Sequence, residues 1–230
     1  MKSMLKKNIE LVEKKGIKYQ KIQGIRKKYK PWIGDIFSPF YDYLMIKSLF
    51  PKKFNASFRR NTEILKKEFK NVHNKHILEL ATGSGNMAGI LPKDNFYSGI
   101  DISENLLRQA AKKFRHFRNA DFYVATAENM PFENNLFDIC ICNLSLNFFS
   151  DLDEVIREIV RVLKSNSVFI CSIPVPEKSK SNKKIRGNLF TEKELIQKFN
   201  DFKFERIDEN GALIYFRAVS KPNNNSNKEV

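Results

Sequence analysis

The chain has 230 residues, of which 42% are hydrophobic and 29% are charged, and its formal net charge is +15. This length predicts one globular domain with an extension. No run approaches the ~20 apolar residues of a membrane-spanning helix, and the segment Met1–Lys7 has no long apolar run, so we expect neither a membrane span nor a signal peptide.

The N-terminal part is predicted to be helical. Apolar residues from Met4 to Val12 recur at helical spacing among lysines, which predicts a short amphipathic helix over residues 3–16. An aromatic-rich helix is predicted from about Asp35 to Leu49, and another over residues 55–70. Together these elements make residues 1–72 a basic, helical N-terminal arm and cap.

From His76 onward the pattern alternates between strands and helices. Strands are predicted over residues 76–80, 96–100, 121–125, 137–143 and 167–173. A short helix is predicted from Ser84 to Leu91, where Pro92 stops it. Three further helices have N-cap candidates, which are Ser103, Asp151 and Thr191. The dipeptide Asn210-Gly211 predicts a hairpin between strands over 203–208 and 211–219. The polar segment 174–188 is expected to be a mobile loop.

Repeated strand–helix units predict an α/β fold. We expect a three-layer α/β/α Rossmann-like domain over residues 73–220, with a mainly parallel seven-stranded sheet, an antiparallel C-terminal hairpin and an N-terminal helical extension. The polar tail over residues 221–230 is expected to be disordered. Ligands of such sheets bind beyond the carboxyl ends of the strands.

The cysteines and the positive charge limit the compartment and the partners. Cys140, Cys142 and Cys171 lie in apolar runs, which predicts buried free thiols in a cytoplasmic protein, with a metal site less favoured. Eleven basic residues face only two acidic ones in the first 30 positions, and a second basic cluster spans 178–186. Such patches attract nucleic acid, anionic lipid or acidic substrates, but a solvated surface is the favoured interpretation.

The turn after the first of the alternating strands is the most informative site signal. Gly83 and Gly85 let the backbone approach a ligand closely. Asp101 ends the next strand, sixteen residues after Gly85, where an acid can accept hydrogen bonds from ribose hydroxyls. The glycine turn and Asp101 together indicate a cofactor that contains a nucleoside.

Two nucleotide motifs are absent from this region. A dinucleotide-binding turn would have a third glycine where Ala88 stands, and the sequence contains no G-x-x-x-x-G-K-[ST] phosphate loop. Glu79, just before the turn, would repel a pyrophosphate but suits the ammonium group of an amino acid.

With these features, the chain resembles the class I S-adenosylmethionine-dependent methyltransferases over about residues 76–173. Five segments carry the resemblance in the family's order: ELATGSGN at 79–86, GIDIS at 99–103, ATAENMPF at 125–132, FDICICNL at 137–144 and EVIREIVRVLK at 154–164. The pattern is most similar to the small-molecule branch, which includes quinone and phospholipid methyltransferases.

The resemblance implies a set of residues that bind S-adenosylmethionine. The backbone around Ala81, Gly83, Ser84 and Gly85 would cradle the methionine part, and Glu79 would support the turn and reach the ammonium group. Ala81 stands where the family usually has a glycine, and its methyl group is expected to be tolerated at a negative φ.

The remaining implied contacts lie along the other strand ends. Asp101 would accept from the ribose hydroxyls, and Ile102 would pack on the adenine. Ala127 and Glu128 would lie at the adenine edge, where Thr126 replaces an aspartate of many members. The transferring methyl group would be faced by Asn143 and Leu144.

Structural alternatives exist for several of these roles. Gly83 and Gly85 could serve only the turn, Asp101 could cap the following helix, Glu128 could be a surface residue, and Asn143 could simply end its strand.

The implied reaction is methyl transfer to a small-molecule or lipid-like acceptor. Such a transfer needs alignment and exclusion of water, and it needs a base only for a poor nucleophile, so no catalytic residue is assigned. The segment Asn143-Leu144-Ser145-Leu146 lacks the Asn/Asp-Pro-Pro-aromatic box of adenine N-methyltransferases, so no specific nucleic acid partner is expected. The segments Trp32–Phe50 and Pro174–Phe190 are candidates to face the acceptor.

Two other functions stay open. The basic arm could dock a protein or RNA substrate, or the chain could bind S-adenosylmethionine without transferring its methyl group. A weak contact with an anionic membrane surface is a further expectation.

Overall fold

The computed structural model describes residues 4–6, 9–29, 38–179 and 185–220. These residues form a three-layer α/β/α domain around one sheet, as the sequence predicts. The described residues contain ten strands: β1 (Glu10–Lys14), β2 (Ile17–Ile22), β3 (Ile25–Arg26), β4 (His76–Leu80), β5 (Phe96–Asp101), β6 (Asn119–Val124), β7 (Phe137–Asn143), β8 (Leu163–Pro174), β9 (Phe202–Asn210) and β10 (Leu213–Ser220). Their order across the sheet is β1-β2-β6-β5-β4-β7-β8-β10-β9, with β3 paired to β2. The expected disorder of 221–230 falls outside the described residues, as does part of the expected loop, at 180–184.

The seven predicted strands are all present. Five of them pair in parallel, and they are β4 (His76–Leu80), β5 (Phe96–Asp101), β6 (Asn119–Val124), β7 (Phe137–Asn143) and β8 (Leu163–Pro174). The antiparallel pair β9 (Phe202–Asn210) and β10 (Leu213–Ser220) adds the predicted hairpin beside β8. Gly211 takes a positive φ of 61° in the two-residue hairpin loop.

The helix predicted over residues 3–16 is wrong. This part of the chain contains β1 (Glu10–Lys14) and β2 (Ile17–Ile22), which pair in antiparallel fashion, followed by the short β3 (Ile25–Arg26). Lys15 and Gly16 form the connecting turn with positive φ values of 53° and 74°. Because β2 also pairs in parallel with β6, it buries Ile17 and Tyr19 on one face, and this tertiary contact outweighs the helical spacing.

Apart from those predicted over residues 3–16 and 84–91, the helices lie close to their predicted positions. A helical segment over residues 38–53, which we call the cap, consists of a 3-10 turn (Ser38–Phe40), α1 (Tyr41–Leu44) and a π-helical part (Met45–Lys53). It is followed by α2 (Phe58–Phe69), α3 (Glu104–Lys113), α4 (Leu152–Val162) and α5 (Glu192–Lys198). Ser103 and Asp151 cap α3 and α4, and Thr191 forms the predicted capping box of α5.

The sheet is buried on both faces. On one face, Leu78, Cys140 and Cys142 pack with α4 and α5. On the other, Ile77 and Ile141 pack with the cap, α2 and α3. Burial on both faces explains why β7 is a continuous apolar run. The three cysteines are free and buried, as predicted. No helix in the described ranges is long and apolar enough to cross a membrane.

Candidate functional site

The backbone of the turn after β4 is left-handed at three alternating positions. The φ angle is 51° at Ala81, 57° at Gly83 and 78° at Gly85. The expectation of a negative φ at Ala81 is therefore wrong. The side chain of an L-residue is disfavoured in this region by about 1–2 kcal/mol, so Ala81 places strain in the turn. A 3-10 turn, Asn86–Gly89, follows in place of the longer helix predicted over 84–91.

Asp101 fastens this turn to the end of β5. Its Oδ2 accepts a hydrogen bond of 2.8 Å from the Gly83 amide, and its Oδ1 accepts one of 2.8 Å from the Ser103 amide. Thr82 adds a bond of 3.0 Å from its amide to the carbonyl oxygen of Ile100. The carboxylate thus shapes the turn, while its contact with ribose stays a prediction.

The absence of a side chain at Gly83, Gly85 and Gly99 has a different structural reason at each position. A Cβ on Gly85 would lie 2.6 Å from Cα of Ala110 in α3, so this glycine allows the turn to pack against the helix. A Cβ on Gly83 would lie 3.7 Å from the Tyr41 hydroxyl of the cap, on the cavity side of the turn. Gly99 was not predicted as important, yet a Cβ there would lie 2.5 Å from Oγ1 of Thr82.

Glu79 is a buried carboxyl group beneath the turn. It is 3% exposed and accepts a hydrogen bond from the Tyr97 hydroxyl. Burial raises the pKa of Glu79 to about 8, although the Tyr97 hydrogen bond opposes this effect; nearby Asp101 raises the pKa further and Lys113 lowers it. A cation placed beside Glu79 would restore its ionised form.

The end of β7 supplies the opposite wall of the site. Asn143 accepts a hydrogen bond from the Ser172 hydroxyl through Oδ1. Leu144 has a positive φ of 62°, and its amide donates to the Ser172 carbonyl oxygen at 2.9 Å. A leucine in the left-handed region is rare, and such strain concentrates at functional sites.

A small cavity joins these parts. Its volume is about 30 Å³. It is lined from the turn and the end of β7 by Glu79, Ala81, Thr82, Gly83, Ser84, Asn86, Asn143, Leu144 and Ser145, and from the cap and α2 by Tyr41, Met45, Phe50, Phe58 and Asn61. The structure therefore brings six of the predicted cofactor residues together around one space.

The cap closes over this cavity and is held by polar contacts. The Ser84 hydroxyl donates to Oδ1 of Asp42 at 2.5 Å, and Nζ of Lys113 lies 2.6 Å from Oδ2 of the same carboxylate. Gln109 also donates to the Ser38 carbonyl oxygen at 2.7 Å. We call the Asp42 contacts the cap latch.

The other predicted site residues lie outside the cavity. Ile102 is 39% exposed at the start of the loop after β5, while Ala127 is 3% exposed and belongs to the core. Glu128 accepts hydrogen bonds of 3.2 and 3.0 Å from the amide and hydroxyl of Ser150. Gly85 faces α3, as described above. Their contacts with adenine and methionine stay predictions.

Eight cavity residues were not among the predicted cofactor contacts: Tyr41, Met45, Phe50, Phe58, Asn61, Thr82, Asn86 and Ser145. Tyr41 and Met45 lie within the segment predicted to face the acceptor, but Phe58 and Asn61 lie on a helix that carried no site signal. Their position depends on how α2 packs, which local patterns do not reveal.

The residues fit S-adenosylmethionine chemically. The turn offers backbone without a side chain at Gly83, Glu79 offers a carboxyl group for an ammonium, and the apolar cap excludes water. Pockets for small molecules usually measure about 300–1,000 Å³, so the cavity of about 30 Å³ is much smaller than a pocket that holds a whole cofactor.

Comparison with known proteins identifies the domain. Residues 78–171 match the family model described as a methyltransferase domain. The ubiquinone/menaquinone biosynthesis C-methyltransferase UbiE of Rickettsia bellii is 38% identical over 108 residues, which cover 43% of this chain and 44% of that protein. The matching UbiE of Rickettsia felis is 37% identical over 108 residues. The chain thus spans less than half the length of the curated relatives that it matches.

Solved structures share the fold. A SAM-dependent methyltransferase from Aquifex aeolicus has a TM-score of 0.62 and 17% identity, covering 79% of this chain and 97% of that one. The cyclase SpnF has a TM-score of 0.66 and 17% identity, covering 83% and 94%. Residues 78–171 of this chain therefore match a methyltransferase domain, and these comparisons support the class I S-adenosylmethionine-dependent family and the cofactor predicted from the sequence.

Proposed function

We propose that this protein transfers a methyl group from S-adenosylmethionine to a small-molecule or lipid-like acceptor. The observation that carries the proposal is the cavity in which the glycine turn and Glu79 meet Asn143 beneath an apolar cap. The names of the matched relatives favour an acceptor carbon on a quinone-like molecule.

The chain's residues have simple tasks in such a reaction. When bound, S-adenosylmethionine supplies an electrophilic methyl group on a sulfonium. Glu79 and the turn hold the amino-acid end, and Asp101 keeps the turn in place. Asn143 and Leu144 orient the reacting groups, while Tyr41, Met45 and Phe50 exclude water.

Calorimetry and methyl-transfer measurements test the proposal. The intact chain should bind S-adenosylmethionine, and tritiated methyl groups should enter a small-molecule or lipid fraction of cell extract. Asp101→Asn should weaken binding at least tenfold because it alters both the turn and the ribose contact. Asp94→Asn, at an exposed carboxylate paired with His73, is the control and should bind like the wild type. Failure of the intact chain to bind the cofactor would refute the function.

A membrane surface is the partner that we propose for the cap. Phe40 and Tyr43 are each 63% exposed and Ile46 is 40% exposed, in a chain with net charge +15. Exposed aromatic residues and positive charge together favour an anionic lipid interface. Tyr43→Ser should reduce co-sedimentation with phosphatidylglycerol vesicles. Ile196→Ser is the control, because it changes an exposed apolar residue of α5 outside the cap, and it should not reduce co-sedimentation.

We also propose the organisation expected from the sequence. Residues 1–72 act as an arm and cap, although the arm contributes strands, and residues 73–220 hold the cofactor. Buried free thiols favour a cytoplasmic location, which fractionation of cells would test.

A further inference from the structure

A second, larger cleft opens between α2 and the end of α3. Its volume is about 530 Å³. The chain that follows the glycine turn forms only one 3-10 turn, Asn86–Gly89, at this position, and Gly85, Asn86 and Gly89 line the cleft. A longer helix there would fill the space. We call it the basic cleft.

The charged residues that line the basic cleft all have the same sign. They are Lys112, Lys113 and Arg115, and none of the described lining residues is acidic. Lys113 bonds Asp42, Ser84 and Asn86. In the part of the chain that the structure describes, Lys112 and Arg115 form no ion pair with a carboxylate, and the Arg115 side chain instead donates to His116 at 3.0 Å. Clustered cations with low-dielectric walls concentrate anions.

A buried amide faces the same space. Asn61 is 3% exposed and lines both the basic cleft and the small cavity. Its Oδ1 accepts a hydrogen bond of 2.8 Å from Tyr215, whose hydroxyl stays protonated because burial raises its pKa. Its Nδ2 has no hydrogen-bond partner among the described residues. This nitrogen is available to donate a hydrogen bond to a ligand oxygen in the cleft.

The two cavities are neighbours. Phe58, Asn61 and Asn86 line both of them, so a molecule in the basic cleft extends toward the glycine turn and Asn143. We infer that the basic cleft binds an anionic group, a phosphate or carboxylate, of the methyl acceptor. The identity of the ligand as the acceptor rests on the proposed function, whereas the anion site rests on the cleft itself.

Titration of the full chain with inorganic pyrophosphate at low ionic strength tests the anion site. The double variant Lys112→Gln/Arg115→Gln should bind pyrophosphate at least tenfold more weakly than the wild type. Lys193→Gln/Lys203→Gln removes the same charge from α5 and β9 and should stay within twofold. No binding by the wild type, or an equal loss in both variants, would overturn the inference.

Vesicles of phosphatidylglycerol separate two sources of the anionic group. If Lys112→Gln/Arg115→Gln loses both pyrophosphate and vesicle binding, the group belongs to a lipid head group. If it loses only pyrophosphate binding, the group belongs to a soluble molecule. Either result supports the anion site.

Methyl transfer into cell extract tests the link to the acceptor. Lys112→Gln/Arg115→Gln should lower incorporation of tritiated methyl groups at least tenfold while its affinity for S-adenosylmethionine stays within twofold of the wild type. Unchanged incorporation would show that the cleft does not hold the acceptor. If the wild type does not bind S-adenosylmethionine at all, the proposed function fails, and the pyrophosphate titration still decides the anion site.

Discussion

Replacement of Glu79 by glutamine should make the protein more stable at neutral and alkaline pH. Glu79 is 3% exposed, and burial raises its pKa from the ordinary value of 4.5 to about 8. The native state therefore binds more protons than the unfolded state between these two pH values. The stability that this group contributes is fully present below pH 4.5 and is lost as the pH rises through 8.

The size of this effect on the free energy of unfolding follows from the pKa shift of Glu79. Each pKa unit corresponds to about 1.4 kcal/mol, so between pH 5 and pH 8 the free energy of unfolding of the wild type should fall by roughly 4 kcal/mol relative to Glu79→Gln. Glutamine resembles the protonated acid in shape and can still accept the hydrogen bond from Tyr97.

Urea unfolding at pH 5, 6.5 and 8 measures this difference. The gap between Glu79→Gln and the wild type should widen steadily with pH. Glu63→Gln is the matched control, because Glu63 is an exposed carboxylate of α2 whose loss should change stability by a nearly constant small amount. A gap that stays the same from pH 5 to pH 8 would show that Glu79 is ionised throughout and would refute the reasoning.

Further predictions concern the cofactor and the turn. Because an ammonium group favours ionised Glu79, the Kd for S-adenosylmethionine should fall about tenfold from pH 6 to pH 7 and level off above pH 8, as calorimetry would show. Ala81→Gly should raise the free energy of unfolding by about 0.5–1 kcal/mol, since it removes the strain of a φ of 51°. Gly85→Ala should lower it by about 2–4 kcal/mol, because the new Cβ would lie 2.6 Å from Ala110. Asp42→Ala should speed cofactor association severalfold in stopped-flow fluorescence by breaking the cap latch; an unchanged rate would argue against a closed cap.

Much of the fold could be predicted because its signals are local. The limits of β4 and β7 follow from short apolar runs, and the N-caps Ser103, Asp151 and Thr191 follow from side chains that bond amides three residues ahead. The N-terminal strands could not be predicted in this way. Leu11 and Val12 fit a helix by spacing alone, and only the pairing of β2 with β6 makes this segment part of the sheet.

In the candidate site, too, local features could be predicted from the sequence and tertiary contacts could not. Five segments between Glu79 and Lys164, taken in order, predicted the family and the cofactor, and the segment from Glu79 to Gly85 predicted the position of the turn. Only the tertiary structure decided that Asp101 bonds the Gly83 amide, and that the cap covers the turn.

The same holds for Asn61, which lies between the two cavities and is held by Tyr215, 154 residues later in the chain. The physical reason is the separation along the chain between the residues that interact. Helix and strand propensity, capping and turn geometry depend on a few neighbouring residues, so they can be predicted from the sequence. The closure of a cavity and the hydrogen bonding of a buried polar group depend on side chains that only the folded chain brings together.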